Sequence, residues 1–439
     1  MFWIELIIVL AIIFIGVRVG GTFLAMAGGI GMFIMTFILH VTPSDPPITV
    51  ILIMIAVICA AATMQACGGL DYLVRIAEKI LRKNPKMITV LAPVVAYIFT
   101  FMCGTGHIVY SLLPVINEIA IETGVRPERP ISASIVSSQQ AITACPISAA
   151  TVGILAFMAE ATNYTKVNIF TLLIVCVPAT LIGTVIAAIA VIKKGKELAD
   201  DPEFQARVEA GLIEDFSKVK EEKKVSKEAK ISVTIFLIAM VGIVLLGAVS
   251  GLVPTLADGS KLPLTTVIEI FMLVAAAAMI LLTKLDSNKV LDQPVFRTGM
   301  FAVVLAFGLC WLVNTFIGDQ SSFITDNMSA LTNKYPWIFI VAVFIVGAIT
   351  TSQSSTTMIM IPIGIALGLP ANVIVAGWIA CSSNYFIPAS GQCVAALAFD
   401  SAGTTKIGKF VLNHSYMIPG LVCTVVSVVV ALLIGAVVF

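Results

Sequence analysis

The sequence predicts an all-α polytopic membrane protein built from two inverted repeats. Hydrophobic residues make up 59% of the 439 residues and charged residues 12%, whereas about a quarter of the residues in a soluble domain are charged. Apolar stretches of roughly 20 residues, the length that crosses the hydrocarbon core as a helix, recur along the chain. Two further apolar segments, one in each half, are interrupted near their middle by small and polar residues.

The uninterrupted stretches predict ten membrane spans. The first is expected to be a retained span, because it lacks the basic start and the small-residue cleavage site of a secretory signal. In the second, Gly28, Gly29 and Gly31 are expected to allow close helix packing. The predicted spans are 2–17, 21–40, 48–68, 131–160, 168–192, 231–250, 264–283, 298–317, 371–399 and 414–438.

The two interrupted segments, 88–123 and 337–369, predict re-entrant helical hairpins. Small and polar residues divide the first at 104–107 and the second at 350–355. Each arm has about 15 residues, or roughly 22 Å of helix, which is short for a full span. Each hairpin is therefore expected to enter the bilayer and return on the same side.

The distribution of basic residues predicts the orientation. Outside the long loop 193–230, thirteen Lys and Arg residues fall on one side of the spans and three on the other. Cytoplasmic loops carry the excess of Lys and Arg, so both termini are expected to be extracytoplasmic. The segment 69–86 has a helical period with a basic face, and is expected to lie along the cytoplasmic interface.

The order of the elements predicts the domain organisation. Residues 1–192 form the first repeat, with a broken helix at 131–160, and residues 231–439 form the second, with a broken helix at 371–399. Residues 193–230 carry ten basic and ten acidic residues, and are expected to be a solvated cytoplasmic linker. Every element of the second repeat should run opposite to its counterpart in the first.

Two local matches support the repeat. Nine residues separate Thr105 from Pro114 in the first hairpin and Gln353 from Pro362 in the second. The other match is a proline followed eleven residues later by a phenylalanine, at 146–157 and at 388–399. Inverted repeats with interrupted helices that meet near the midplane are typical of secondary transporters, and their substrates bind at the interruptions.

The interruptions therefore predict the binding site. Helix starts expose backbone amides and the positive end of the helix dipole, so they can hold an anion where no Lys or Arg is nearby. Two such anion-binding helix starts would suit a substrate with a carboxylate at each end. The candidate binding residues are Gly104, Thr105, Gly106, His107, Gln139, Thr143, Pro146, Ser148, Ser352, Gln353, Ser354, Ser355, Asn384, Ser390 and Gly391.

The coupling ion is left open between H⁺ and Na⁺. His107, at membrane depth, could carry a coupling proton or could be a hydrogen-bonded tip residue that binds substrate. Free carbonyls at the interruptions could coordinate Na⁺. Glu118 and Glu269 are expected to be snorkelling or interface-paired carboxylates rather than coupling residues. No metal site, cofactor, disulfide or nucleic-acid partner is predicted, since the nine cysteines show no CxxC pair and the net charge is +1.

The sequences GTGH at 104–107, RPERP at 126–130, ITACPIS at 142–148 and GTTKIGKF at 403–410 resemble those of the anaerobic C4-dicarboxylate uptake (Dcu) carriers. The resemblance extends over nearly the whole chain. It implies a bacterial inner-membrane antiporter, with periplasmic termini, that exchanges fumarate, malate or aspartate for succinate. It also implies an elevator-type homodimer of the ion-transporter superfamily.

Three other functions compete with this prediction. An anion channel would normally repeat its pore elements around an axis along the membrane normal, which an antiparallel repeat does not form. An intramembrane enzyme would need a catalytic set such as paired acids or HExxH, and none occurs at membrane depth. A cation-coupled carrier of another small carboxylate or amino acid would share the same architecture.

Overall fold

The structure is a computed structural model that describes residues 1–19, 22–211, 213, 226–257, 259–320, 322–323, 334–388, 390–407 and 413–439. Residues 212 and 214–225 of the predicted linker, residue 389 of the predicted broken helix and residues 408–410 of the GTTKIGKF motif lie outside the described residues. The described part is helical, apart from an isolated antiparallel bridge between Thr255 and Lys261.

The described part of the first half contains nine α-helices, and the predicted hairpin and broken helix are both interrupted where expected. The helices are α1 (Phe2–Val19), α2 (Thr22–Phe33), α3 (Ile48–Ala66), α4 (Gly69–Lys83), α5 (Ile88–Cys103), α6 (Ile108–Glu122), α7 (Glu128–Ala141), α8 (Ala149–Glu160) and α9 (Ile169–Val191). A π-helical turn at Ile34–Ile38 extends α2, and a 3-10 turn at Ile142–Ala144 follows α7.

In the described part of the second half, after the short helix α10, spans, a hairpin, a broken helix and a closing helix follow one another as in the first half. The helices of this part are α10 (Pro202–Glu209), α11 (Lys227–Ala248), α12 (Leu264–Thr283), α13 (Asn288–Leu291), α14 (Pro294–Leu305), α15 (Trp311–Asp319), α16 (Trp337–Thr350), α17 (Gln353–Ala366), α18 (Ala371–Ile379), α19 (Gly391–Phe399) and α20 (Met417–Val438). A π-helical turn at Ala306–Cys310 joins α14 to α15. In both halves the elements begin and end within a few residues of the predicted bounds.

Eight stretches of helix in the described part are long and apolar enough to cross a membrane, so the chain is a multi-pass membrane protein. They include Pro85–Cys103, the first arm of the first hairpin with its preceding turn, which is longer than the sequence argument assumed. The predicted spans 2–17, 21–40 and 371–399 instead form shorter or interrupted apolar helices. Whether each hairpin is re-entrant stays a prediction.

The helices pack as two bundles. In one bundle, α3 packs on α12, α12 on α11, and α2 on α1 and α14. In the other, α9 packs on α20, α5 on α7, and α16 on α17 and α18. We call the first the outer bundle (α1–α3 and α11–α15) and the second the core bundle (α5–α9 and α16–α20).

Contacts between the two halves are reciprocal within the core bundle. The second part of the first broken helix, α8, packs on the returning arm of the second hairpin, α17. The second part of the other broken helix, α19, packs on the returning arm of the first hairpin, α6. A twofold relation between the repeats would produce this pattern, which supports the predicted inversion.

Helix α4 is amphipathic and connects the two bundles at one end. It buries Leu73, Ala77 and Leu81, and it packs against α3, α5, α6 and α11. On its polar face, Arg82 forms an ion pair of 2.5 Å with Glu118 of α6. The prediction that Glu118 is paired is therefore confirmed, and its place at the membrane interface stays a prediction.

Glycine permits a close approach of two backbones in the outer bundle. A Cβ atom on Gly28 of α2 would overlap the carbonyl group of Gly308 and the amide nitrogen of Leu309, in the π-helical turn. One on Gly31 would overlap the side chain of Leu312, but one on Gly29 would meet nothing within 4 Å. The prediction of close packing is thus right for Gly28 and Gly31 and wrong for Gly29, which points away from the protein.

The start of the predicted linker is fastened to the core bundle by a buried cluster of charges. The guanidinium of Arg126 pairs with Asp201 and, at 2.8 Å, with Glu128. Lys194 pairs with Glu128 at 3.0 Å and donates to the Ser415 carbonyl at 2.8 Å. Leu198 and Asp201 are buried, so these two residues of the linker pack against protein, while most of the residues between 193 and 200 are exposed, as expected of a solvated segment.

The ionised Asp201 carboxylate is expected to contribute to the free energy of unfolding, and this contribution is lost in acid. Burial raises the pKa of its carboxyl, but hydrogen bonds to the Arg126 guanidinium and to backbone amides outweigh it, so the net pKa lies below the ordinary value of 3.8. The contribution is therefore complete above pH 3.8 and is lost as the pH falls through the lowered pKa.

Thermal unfolding in detergent of the wild type and of Asp201→Asn tests this expectation. The difference in unfolding free energy between them should be constant near neutral pH and should shrink at acid pH. Asp200→Asn is the matched control, because Asp200 is adjacent but exposed. An Asp201→Asn difference that grows on acidification would contradict the lowered pKa.

Candidate functional site

The interruptions of both hairpins and both broken helices meet at one cavity of about 690 Å³. The core bundle forms one wall, with the starts of α6, α8, α17 and α19. The outer bundle forms the other wall, from α2, α3 and α14. Convergence of the four interruptions, which the sequence predicted, is thus seen in the structure.

The first hairpin turns at Gly104, which ends α5 in the left-handed conformation (φ 71°). This conformation suits glycine, because it has no Cβ to clash with the backbone. The Thr105 hydroxyl lies 2.8 Å from Nδ1 of His107 and accepts a hydrogen bond from the His107 amide at 3.3 Å. His107 is therefore a hydrogen-bonded tip residue, immediately before α6.

The second hairpin has a shorter turn. Thr351 ends α16 with φ 51°, and Ser352 then caps α17 by accepting a hydrogen bond from the Ser355 amide at 3.2 Å. A β-branched residue in the left-handed region is strained. Thr351 occupies the same place at the end of its helix as Gly104 in the first hairpin.

Thr351→Gly is expected to stabilise the protein by about 0.5 to 1 kcal/mol, since relief of the strain exceeds the entropy cost of glycine. The opposite change at the equivalent position, Gly104→Ala, should destabilise by about 1 kcal/mol. Thermal unfolding of both variants in detergent measures the two changes in stability, which should have opposite signs. A lower melting temperature for Thr351→Gly would mean that contacts of the threonine side chain matter more than its backbone.

The first broken helix restarts at a serine cap. After the 3-10 turn at Ile142–Ala144, the chain extends through Cys145, and Pro146 lacks an amide hydrogen that could continue the helix. Ser148 accepts a hydrogen bond from the Thr151 amide at 3.1 Å and donates one to the Ile142 carbonyl at 2.7 Å. Its hydroxyl therefore holds the break together.

The second broken helix restarts in the same way. The helix α18 ends in a 3-10 turn at Ala380–Ser382, and Ser390 caps α19 by accepting from the Cys393 amide at 3.4 Å. The Ser390 hydroxyl also accepts a hydrogen bond from Nε2 of Gln139 at 3.3 Å. Each break is therefore tied to the opposite half of the chain.

The three serine caps leave the same two backbone amides open at each helix start. The first amides of a helix have no helical partner, and each serine accepts from the amide of the third helical residue. The free amides in the first two positions belong to Ala149 and Ala150 in α8, to Gln353 and Ser354 in α17, and to Gly391 and Gln392 in α19. Three pairs of aligned donors therefore face or flank the cavity.

A buried polar layer supports the cavity wall. The backbone carbonyl of Gln139 accepts from the Gln353 side chain at 3.2 Å and from the Ser382 hydroxyl at 3.3 Å. Three buried oxygens, Oε1 of Gln139, Oγ of Ser355 and Oδ1 of Asn384, have no hydrogen-bond partner among the described residues. Such oxygens can accept from an ammonium group or coordinate a cation.

Twelve of the fifteen candidate binding residues line the cavity. Gln139, Thr143 and Pro146 are not among the lining residues, and the Gln139 and Thr143 side chains are buried among protein atoms. The lining candidates are Gly104, Thr105, Gly106, His107, Ser148, Ser352, Gln353, Ser354, Ser355, Asn384, Ser390 and Gly391.

One charged residue of the cavity wall was not among the predicted site residues. Arg297, in the first turn of α14, lines the cavity together with Thr298, so the expectation of a site without Lys or Arg nearby is wrong. Arg297 is one of the thirteen basic residues that predict the orientation, and it is far from the interruptions in sequence. No acidic side chain of the described residues lines the cavity. The positive charge of the cavity wall therefore favours the binding of anions.

Known proteins resemble the chain along its whole length. A family described as anaerobic C4-dicarboxylate membrane transporter matches residues 1–439. The anaerobic C4-dicarboxylate transporter DcuB of Escherichia coli O6:H1 is 38% identical over 434 residues, which cover 98% of this chain and 97% of that protein. The C4-dicarboxylate transporter DcuA of Wolinella succinogenes is 37% identical over 431 residues, covering 98% of both.

Two solved structures share the fold. The YdaH transporter of Alcanivorax borkumensis superposes with a TM-score of 0.55 at 15% identity, over 93% of this chain and 89% of that one. MtrF of Neisseria gonorrhoeae superposes with a TM-score of 0.54 at 13% identity, over 92% of this chain and 83% of that one. At such identities the likeness concerns the fold alone.

Proposed function

Because the chain belongs to the anaerobic C4-dicarboxylate membrane transporter family, whose members are transporters and not enzymes, we propose that it is an antiporter of C4-dicarboxylates. Its substrates would be fumarate, malate, aspartate and succinate, exchanged across the bacterial inner membrane. The observation that carries this proposal is the convergence of four helix starts on one cavity that has no acidic lining residue among those described.

The geometry explains how a dianion would be held. A carboxylate accepts two or more hydrogen bonds, and paired amides at a helix start offer them with the positive end of the helix dipole behind. One carboxylate would bind at Ala149 and Ala150, and the other at the start of α17 or α19. The twelve lining candidates form the proposed binding site, supported from behind by Gln139, Thr143 and Pro146.

Alternating access follows from the two bundles. The exposed lining residues Thr22, Arg297 and Thr298 lie at the starts of α2 and α14, on the side assigned to the cytoplasm by the basic loops. We therefore assign this structure to the inward-facing state. Movement of the core bundle against the outer bundle, as in an elevator, would carry the site to the other side.

The repeats and the topology belong to the same proposal. Residues 1–192 and 231–439 would be inverted repeats joined by 193–230, with re-entrant hairpins and both termini in the periplasm. The reciprocal contacts of α8 with α17 and of α6 with α19 support this relation. The protein would work as a homodimer, as the family resemblance implies.

Counterflow in proteoliposomes tests the proposal. Vesicles loaded with unlabelled succinate should accumulate labelled fumarate, and uptake should saturate and should stop when the lumen is empty of dicarboxylate. Linear flux that needs no internal substrate would indicate a channel. Failure of all four dicarboxylates, with another small carboxylate or amino acid transported, would keep the fold and overturn the substrate class.

A further inference from the structure

Arg297 occupies an unusual position for a basic residue. It lies in the first turn of α14, its side chain is exposed, and it lines the cavity. Within the described part of the chain its guanidinium has no ion pair or hydrogen bond, although its backbone amide bonds to the Gln293 carbonyl at 3.2 Å. An unpaired guanidinium therefore stands at the mouth of a cavity without other charged lining residues among those described.

The local structure does not favour a cation at this point. The start of a helix is the positive end of its dipole, where acidic residues stabilise and basic residues do not. The first turn of α14 has no acidic residue to compensate. A bound anion would supply the missing negative charge, and the planar guanidinium can bind a carboxylate through two hydrogen bonds.

The packing of α14 indicates in which conformational state Arg297 could contact such an anion. This helix packs mainly against α2 and α3 of the outer bundle, whereas the helix starts of the proposed binding site belong to the core bundle. When the core bundle moves, the distance between Arg297 and the binding site must change. Arg297 can therefore face the substrate pathway from one side of the membrane only.

We propose that Arg297 is a one-sided capture residue, which attracts the dicarboxylate on the cytoplasmic face and takes no part on the opposite face. This inference rests on the proposed exchange function and adds a specificity determinant to it. A fixed positive charge acts more strongly on a dianion than on an anion of net charge −1. Arg297 therefore favours succinate and fumarate over aspartate during capture from the cytoplasm.

The effect has a defined thermodynamic limit. A substitution cannot change the equilibrium of the exchange, because the concentrations of the two substrates on each side set it. Removal of the charge should instead slow capture on the cytoplasmic face, and so raise the KM on that face. Because the side chain is exposed, salt should screen the attraction.

Vesicles of both orientations provide the test. Uptake of labelled succinate and of labelled aspartate is measured against internal succinate, for the wild type and Arg297→Gln. At low salt, Arg297→Gln should raise the succinate KM on the cytoplasmic face by about threefold to tenfold, with a smaller rise for aspartate and less than about twofold on the opposite face. High salt should raise the wild-type KM on the cytoplasmic face towards that of the variant.

Two control variants separate charge from other effects. Arg297→Lys keeps the charge and should retain most of the wild-type KM. Lys289 is exposed on the same side of the membrane but does not line the cavity. Lys289→Gln should therefore leave the KM on both faces unchanged. Should Arg297→Gln insert poorly, the salt dependence of wild-type KM on the two faces tests the same asymmetry.

An equal rise of KM on both faces, or no rise at all, would overturn the inference while succinate exchange itself continued. Equal effects on succinate and aspartate would remove the assigned specificity role. Absence of succinate exchange in the wild type would instead overturn the proposed function. In that case the same comparison, with whichever small carboxylate is transported, would decide whether capture by Arg297 is one-sided.

Discussion

Replacement of Ala149 by proline is expected to weaken succinate binding by about 10-fold to 100-fold, the cost of one hydrogen bond to a charged group. Ala149 is the first residue of α8, where proline is well tolerated because the amide it removes has no helical partner. The preceding residue, Ser148, has φ −73° and ψ 148°, an extended geometry that suits a residue before proline. The substitution thus removes one N–H and keeps the helix.

The affinity of Ala149→Pro is measured by calorimetry in detergent, together with its counterflow and its melting temperature. Lys227→Pro is the matched control. Lys227 is the first residue of α11, after the cap Ser226, which has φ −69° and ψ 156° and accepts from the Ala229 amide. It does not line the cavity. Equal affinity for the two proline variants would show that the Ala149 amide does not touch the substrate.

Gly28→Ala is expected to destabilise the protein by at least about 3 kcal/mol, the upper range for overpacking a buried site. The added methyl group would overlap the backbone of Gly308 and Leu309, and a backbone cannot rotate aside as a flexible side chain can. The helix α2 and the π-helical turn would have to separate. Because α2 and the π-helical turn belong to the outer bundle, the cavity wall that this bundle forms would be displaced as well.

Gly29→Ala provides the contrast at the next position. An added methyl group there meets nothing within 4 Å, and alanine favours the helix over glycine by up to about 1 kcal/mol. Gly29→Ala should therefore melt at or above the wild-type temperature in the same detergent, while Gly28→Ala should melt far below it. Similar melting of the two variants would mean that α2 and the turn at Ala306–Cys310 are not in close contact.

Much of the fold could be predicted because the bilayer restricts what a sequence can do. Apolar length identified the helices, and proline next to polar residues identified the interruptions at Pro146 and Pro388. The small and polar residues at 104–107 identified the first hairpin turn, and the structure shows that Gly104 ends α5 there in the left-handed conformation. The polar residues at 350–355 identified the second turn as well, but they did not indicate that Thr351 would be left-handed, because threonine rarely adopts that conformation.

The site was less predictable, because its walls come from distant parts of the sequence. Polarity near an interruption does not show which way a side chain points. Gln139 and Thr143 were therefore predicted to bind substrate, although they lie behind the lining residues. Arg297 was missed because α14 contributes it from the outer bundle. The hydroxyl of Ser148 was expected to bind substrate, but its hydrogen is already donated to the Ile142 carbonyl.

The pairing of α8 with α17 also has a consequence for biogenesis. Ribosomes add roughly 5 to 20 residues per second, and α17 follows α8 by about 200 residues, so α8 waits for tens of seconds before its partner is made. During that interval the non-helical backbone at Cys145–Ser148 has no partner from the second half. The nascent first half must shield this polar gap from lipid on its own, through α5, α7 and α9 or through an insertion chaperone.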